Sequence, residues 1–590
     1  MANRKFLKMP QPGFFLTALA ALLLCLLAGC QSYDPQRSVE AIADDYLAAM
    51  LERYPAWVTR LGLPGARHDA LFDNSPAALQ RWQKKEDSWL AELRLSAGAT
   101  PVGSRDWVTR SMLLEELEAS VGQRVCRKSL WETSTTTGWH TGLPFLFDQQ
   151  PLETQALRAQ ALSRLRAVVG YIDTEIANLR EGLQLGYSSP RVTVAAVPAQ
   201  VRVLIQSDSP FYAMGRRVDD PEFQAAVEQI MQSSVSPALE RFALFIEQEY
   251  LPAARTSLAI ADHPNGAACY PAVVRAFATV APEPREIHAL GLQQITLLRA
   301  EMQTLLDAHF DGVPVQQFLR QINTDPRYTF QTEDQVLAYS KRALAGARAA
   351  MPRAFEQLPK AAVEIKPYPA FAASGVGEYQ ASSEDGSRPG VFFIAVRDPK
   401  TRPRANQQAT LYHETYPGHH LQGALALELG DAVHPLARYL GNSGFLEGWA
   451  LYAERLAQEL QLYGSPLDTL GLLSDQAARA ARLVVDTGLH VFGWTREQAV
   501  AYMLNNTGWS RTDIENDVNR YISWPGQANS YMLGMLEIRR LRTKAEQTLG
   551  AGFELRAFHS RLLENGAVTL PMLEQAIDHW ITHDGAASAP

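Results

Sequence analysis

The chain has 590 residues, 46% of them hydrophobic and 20% charged, with 55 Lys and Arg against 63 Asp and Glu for a net charge of −8. A single core tends to split beyond roughly 250–300 residues, so a chain of this length calls for more than one. The acidic balance argues against phosphate-seeking nucleic-acid binding, the mean hydropathy of −0.16 against a polytopic membrane protein, and the four cysteines against a disulfide scaffold.

Arg4, Lys5 and Lys8 precede an apolar run over residues 14–27 that ends Leu27-Ala28-Gly29-Cys30. The run is shorter than the ~20 residues of a membrane span and suits the apolar segment of a signal peptide. Its ending resembles a bacterial lipobox, which implies cleavage before Cys30 and a diacylglycerol on the Cys30 thiol. Residues 1–29 then read as a lipoprotein signal peptide, and removing its three basic residues takes the formal charge to −11. No Asp follows Cys30, which points to lipid anchoring in the outer membrane, facing the periplasm, of a Gram-negative cell envelope. Only Cys126 and Cys269 remain as thiols, an even pair for one disulfide in an oxidising compartment; two buried free thiols are the competing reading.

Residues 30–280 read as an N-terminal helical region, with apolar positions at three- and four-residue spacing such as Leu162, Leu165, Val168, Val169, Ile172, Ile176 and Leu179. Residues 131–151, rich in Ser, Thr and Gly and carrying Trp131, Trp139 and His140, read as a long loop over the site. Pro282 and Pro284 mark the boundary to a second region, 281–590, which opens on a long helix over 286–310. Residues 352–396 alone have strand character, ending in the β-rich run 391–396. The run 390–396 is either an edge strand able to pair with a substrate backbone or a buried core strand. Helices then return almost to the end. The expected fold is mainly α, two helical lobes with a small β-sheet and a deep central cleft.

The chemistry concentrates in His413-Glu414-Thr415-Tyr416-Pro417-Gly418-His419-His420. A His-Glu pair closing on a later His is how zinc hydrolases present two imidazoles and a general base. Here the later histidines stand six and seven positions on, and seven residues of straight helix is roughly 10 Å, too far for one tetrahedral zinc with ~2.0–2.1 Å bonds. Pro417 removes an N–H and crowds the His413 carbonyl, and Gly418 frees the backbone, so a local bulge is expected to bring His419 or His420 back beside His413. Glu414 points about 100° away from His413 around the helix and suits a proton carrier rather than a ligand.

The segment resembles the bacterial DUF885 family, grouped with the zincin-like metallopeptidases, in its pattern His-Glu-x-x-Pro-Gly-His-His. A second block of that family, Phe-x-Glu-Gly-Trp-Ala, matches residues 445–450, and a third matches Arg520-Tyr521, Pro525-Gly526-Gln527 and Ser530-Tyr531. The resemblance implies a gluzincin arrangement, one Zn²⁺ ion held by His413, His419 and Glu447, with Glu414 as base then acid. It favours His419 over His420, leaving His420 beside the metal or lining the cleft, with Glu454 as reserve ligand. Related peptidases use a Tyr/His pair on the developing oxyanion, which selects Tyr531 and His490, with Tyr521 as an alternative. Arg479 and Arg482, on the helix carrying His490, read as a buried salt-bridge ladder.

No Gly-x-Ser-x-Gly and no Gly-x-x-x-x-Gly-Lys occurs. The expected activity is zinc-dependent hydrolysis of short peptides. The alternatives are a metal-dependent hydrolase of non-peptide amides or esters, and a non-catalytic peptide-binding lipoprotein of the envelope.

Overall fold

The computed structural model describes residues 37–61, 67–96, 100–368, 377–384 and 388–583. The signal segment, Cys30 and the 584–590 tail lie outside the described residues. The fold is mainly helical, 71% helix, with one three-stranded sheet.

The helices follow from apolar periodicity and local caps. Helix α1 (Arg105–Gln123) starts where the Ser104 hydroxyl accepts the Trp107 N–H. Helix α2 (Trp139–Asp148) and helix α3 (Gln155–Gln184) belong to an apolar core built from residues between Trp139 and Ala254, in which α3 buries Leu165, Val168, Ile172, Ile176 and Leu179. The 131–151 segment is therefore not one long loop. Its Ser/Thr/Gly half masks a helical half, whose Trp139, Leu146 and Phe147 are buried despite Gly142 and Pro144.

Helix α4 (Gly266–Ala278) and helix α5 (Pro284–His309) pack into a second, larger core that reaches Ile581. Cys269 on α4 is joined to Cys126, just after α1, with Cα atoms 4.9 Å apart and 143 residues between them in sequence. Closing a loop of that length removes much unfolded-chain entropy. Converting both cysteines to serine is expected to lower stability by about 4–5 kcal/mol, read as a drop in the denaturation midpoint that reductant does not deepen further.

In the sheet, β1 (Val363–Pro367), β2 (Gly377–Gln380) and β3 (Gly390–Ile394) lie in the order β1-β3-β2, with β3 parallel to β1 and antiparallel to β2. Strand β3 is thus the central strand, with Val391, Phe392 and Ile394 buried, and the substrate-pairing role weighed for this run does not fit it. Among the described residues the free edges belong to β1 and β2.

The helices after the sheet that build the site are α6 (Ala405–Glu414), α7 (His419–Leu427), α8 (Ser443–Glu459), α9 (Pro466–His490), α10 (Arg511–Ser523) and α11 (Ser530–Leu549). Every residue of α9 from Leu470 to His490 is buried, charged ones included. Helices α8 and α11 cross at Gly448, where a Cβ would stand 2.6 Å from the Gly534 Cα; this close approach sets Glu447 and Tyr531 side by side. Among the described residues no helix is long and apolar enough to cross a membrane.

Candidate metal centre

Helix α6 carries His413 and Glu414 in its last turn and stops at Thr415. The bulge expected from the sequence does not form. The helix ends, the Tyr416–Pro417 peptide is cis, and α7 begins at His419. Pro417 has no N–H to extend the ladder, and the Gly418 N–H donates to the Tyr412 carbonyl at 3.0 Å. A side chain at Gly418 has no room, since its Cβ would lie 1.9 Å from the His413 carbonyl oxygen. From α8, the Trp449 indole N–H donates to the Pro417 carbonyl at 3.0 Å and pins the break in place.

This break turns the His419 ring perpendicular to that of His413, with centroids 4.8 Å apart at 87°. Glu447, arriving on α8, puts its Oε2 3.4 Å from Nε2 of both rings. These three residues form the one group of potential metal-ligating side chains among the described residues. A tetrahedral ion with bonds of ~2.0–2.1 Å needs ligand atoms roughly 3.3–3.5 Å apart, which is the spacing from Glu447 Oε2 to each imidazole, and all three ligand atoms lie within 4.8 Å of one another. Glu447 Oε2 is buried and makes no hydrogen bond, so the cost of its burial is met by the two imidazoles at 3.4 Å or by a cation held between them. Burial raises the Glu447 carboxyl, but the two imidazoles override it and hold the group well below its ordinary value.

Glu454, the reserve ligand by sequence, does something else. Its Oε1 lies 2.9 Å from His413 Nδ1 and its Oε2 accepts from Gln476 Nε2 at 2.9 Å. It fixes the His413 tautomer with Nε2 free toward the cluster, as carboxylates behind ligating histidines do. His420 also faces away. Its Nδ1 pairs with the Tyr379 hydroxyl at 3.0 Å and its Nε2 with the Ala361 carbonyl at 3.1 Å, fastening α7 to the sheet. Burial lowers its pKa to about 4, so it stays neutral.

Glu414 is half-buried beside the cluster. Burial raises its carboxyl, and the charges of His413 and His419 oppose that rise. Tyr531 also adjoins the cluster, its ring nearly parallel to His413 with centroids 6.4 Å apart. The two remaining oxyanion candidates are corrected. His490 accepts the Ile260 N–H at Nδ1 (3.2 Å) and donates from Nε2 to the Tyr521 carbonyl (2.9 Å), so neither nitrogen is free. The fully buried Tyr521 hydroxyl accepts from Arg482 Nε at 2.9 Å and donates to Asp517. Both residues are struts between helices. Arg482 does pair with Asp517, as a ladder member would, but it also lies over the Tyr531 ring, 4.3 Å from its centroid.

A cavity of about 530 Å³ is lined by residues that neighbour the cluster in sequence, Gln422 one turn after His419 and Leu446 beside Glu447, together with Glu378 and Gln380 of β2 and Phe145 with Gln149 at the end of α2; the cluster residues themselves do not line it.

The profile of the family described as "Bacterial protein of unknown function (DUF885)" matches residues 55–577. The chain belongs to this family. The DUF885 chain is also similar to solved structures. A candidate lipoprotein of Colwellia psychrerythraea has 27% identity and a TM-score of 0.85, over 92% of this chain and 99% of that one. A candidate lipoprotein of unknown function from Shewanella oneidensis shares the fold at 16% identity and a TM-score of 0.71, over 91% and 99%. No curated protein matches the chain. The bacterial lipoprotein neighbours are consistent with a place in the cell envelope.

In the metal-free protein burial pulls His413 down, but Glu447 and Glu454 at its two nitrogens win and push it up to about 9. The ring is then protonated below that pH, and a metal must displace the proton. Zinc loading at pH 8 is expected to release about one proton per ion, and apparent affinity to fall progressively as pH drops below 9. Titration calorimetry in buffers of differing ionisation enthalpy measures both; loading without proton release means that His413 is not a ligand.

Proposed function

We propose that this DUF885 protein is a zinc-dependent hydrolase of peptide bonds, acting on short peptides in the bacterial envelope and tethered by lipid at Cys30. The observation that carries the reading is the Glu447 oxygen, buried without a hydrogen bond 3.4 Å from two imidazole nitrogens, with Glu414 adjacent. Two imidazoles and a carboxylate suit one zinc ion with an open fourth position. A zinc held there would supply a Lewis acid that acidifies water and polarises the substrate carbonyl.

The chain's own groups supply the rest. Glu414 takes the proton from the attacking water and returns it to the leaving amine, a task favoured by burial that raises its carboxyl. Glu454 and Gln476 keep His413 from turning. Tyr531 stands where its hydroxyl can donate to the oxygen on which charge develops. The free edge of β2 along the cavity offers backbone groups for an extended peptide. This assignment makes the molecule a zincin-like one, with the cavity as its substrate cleft.

The test is elemental analysis of the purified protein together with digestion of a defined peptide mixture, with and without chelator, read by mass spectrometry. The expected result is one zinc per chain and cleavage that stops on chelation and returns with zinc. Absence of both overturns the proposal; chelator-sensitive cleavage of esters but not peptides replaces the bond.

A further inference from the structure

Three arginines stand behind Tyr531. Arg479 and Arg482, one turn apart on α9, are 8% and 5% exposed, and both guanidinium groups lie against the Trp509 ring at 5.4 and 5.5 Å. Arg520 of α10 joins them through Asp517. Their acidic partners are already divided. Asp517 serves Arg482 Nη2 at 3.1 Å, Arg520 Nε at 3.0 Å and the Tyr521 hydroxyl. Asp475 accepts from Asn406 at 2.5 Å and Trp509 at 2.7 Å, and stands 3.6 Å from Arg479. Glu454, 3.8 Å from Arg479, is committed to His413. Besides Glu454, the wall thus holds three guanidinium groups against two carboxylates that are already shared, and Arg482 Nη1 and Arg479 Nε are buried with no hydrogen-bond partner.

A buried cation short of partners is costly, and a planar guanidinium with free N–H groups matches a carboxylate. Arg482 Cζ lies 4.3 Å from the Tyr531 centroid, itself 6.4 Å from that of His413, so the guanidinium is within about 11 Å of a metal-cluster ring. Extended chain advances ~3.3–3.6 Å per residue. After room for the reacting carbonyl and for the ion pair, at most one or two residues fit between. We infer that Arg482, supported by Arg479 and Arg520, binds the free α-carboxylate of the peptide, so that the protein trims one or two residues from C-termini. This inference rests on the hydrolase reading above and names its substrate class.

The experiment compares one N-acylated pentapeptide as free acid and as C-terminal amide with the zinc-loaded full chain. A charge-assisted contact of this kind is expected to favour the acid roughly tenfold to hundredfold in kcat/KM. Arg482→Gln should raise KM for the acid by a similar factor, so that the preference for acid over amide is lost. Arg482→Lys, which keeps the charge beside Asp517, should recover part of the loss. Equal cleavage of acid and amide by the wild type overturns the inference, as does a kcat loss in Arg482→Gln shared by both peptides. If neither peptide is cleaved, the hydrolase reading fails, and calorimetric binding to Glu414→Gln protein decides the anchor separately: preference for the acid upholds it, equal binding sinks it.

Discussion

Replacing Glu414 with Gln is expected to leave zinc at one ion per chain and to lower the rate of peptide cleavage by about 10²–10⁴-fold. The substitution keeps size and shape but removes the ability to take up a proton. Glu414 makes no contact that holds the cluster together: His413 is oriented by Glu454, and Glu447 and His419 by their own helices. Stability and metal content should therefore match the wild type within error. A second signature follows from burial, which raises the Glu414 carboxyl. Activity should fall on the acid side as the carboxylate protonates, at a pH above that of an ordinary glutamate, and this limb should vanish in Glu414→Gln. Wild-type turnover by the variant would remove Glu414 from the chemistry. Loss of zinc would instead make it a ligand.

Much of the site was legible because its residues are close in sequence. His413, Glu414 and His419 fall within seven positions, and the proline and glycine between them announce that a straight helix cannot continue. What sequence could not fix was how the chain relieves the conflict. A bulge and a broken helix both bring a later histidine back, and the break observed depends on Trp449, 32 residues downstream of Pro417. The two glutamates of α8 were ambiguous for a related reason. Glu447 and Glu454 are two turns apart on one face, so periodicity gives both the same direction, and only the position of α6 along α8 assigns one to the cluster and the other to His413 Nδ1.

His490 misled in the same way. It shares the helical spacing of Arg479, but eleven residues of helix separate the two by roughly 16 Å, which carries it to Ile260 and the Tyr521 carbonyl. Spacing reports a face and says nothing of distance along it. The helix α2 was hidden for another reason. Gly142 and Pro144 lower its intrinsic propensity, and burial of Trp139 and Phe147 in the first core outweighs that.

The adjacent histidines give the sharpest separation of metal binding from packing. His419→Ala is expected to abolish stoichiometric zinc and with it activity, while costing little fold stability, because the ring is partly exposed and its nearest charged neighbour is Glu447 at 3.4 Å. His420→Ala should do the reverse. Its ring is fully buried and bridges the Tyr379 hydroxyl and the Ala361 carbonyl, so its loss leaves buried polar groups unpaired. That costs about 1–3 kcal/mol for each group left without a partner, and the melting point should fall accordingly. Zinc should nonetheless remain at one ion per chain, since neither His420 nitrogen faces the cluster. Metal content and melting temperature, measured on both variants, form a two-by-two comparison in which the effects must fall on opposite diagonals. Zinc lost from His420→Ala but kept by His419→Ala would reverse the assignment. Zinc lost from both would mean that the junction between α6 and α7 is held by His420 and not by Trp449 and Gly418. A ring that only fastens α7 to the sheet can be removed without emptying a cluster whose three ligands reach it from α6, from the first residue of α7, and from α8.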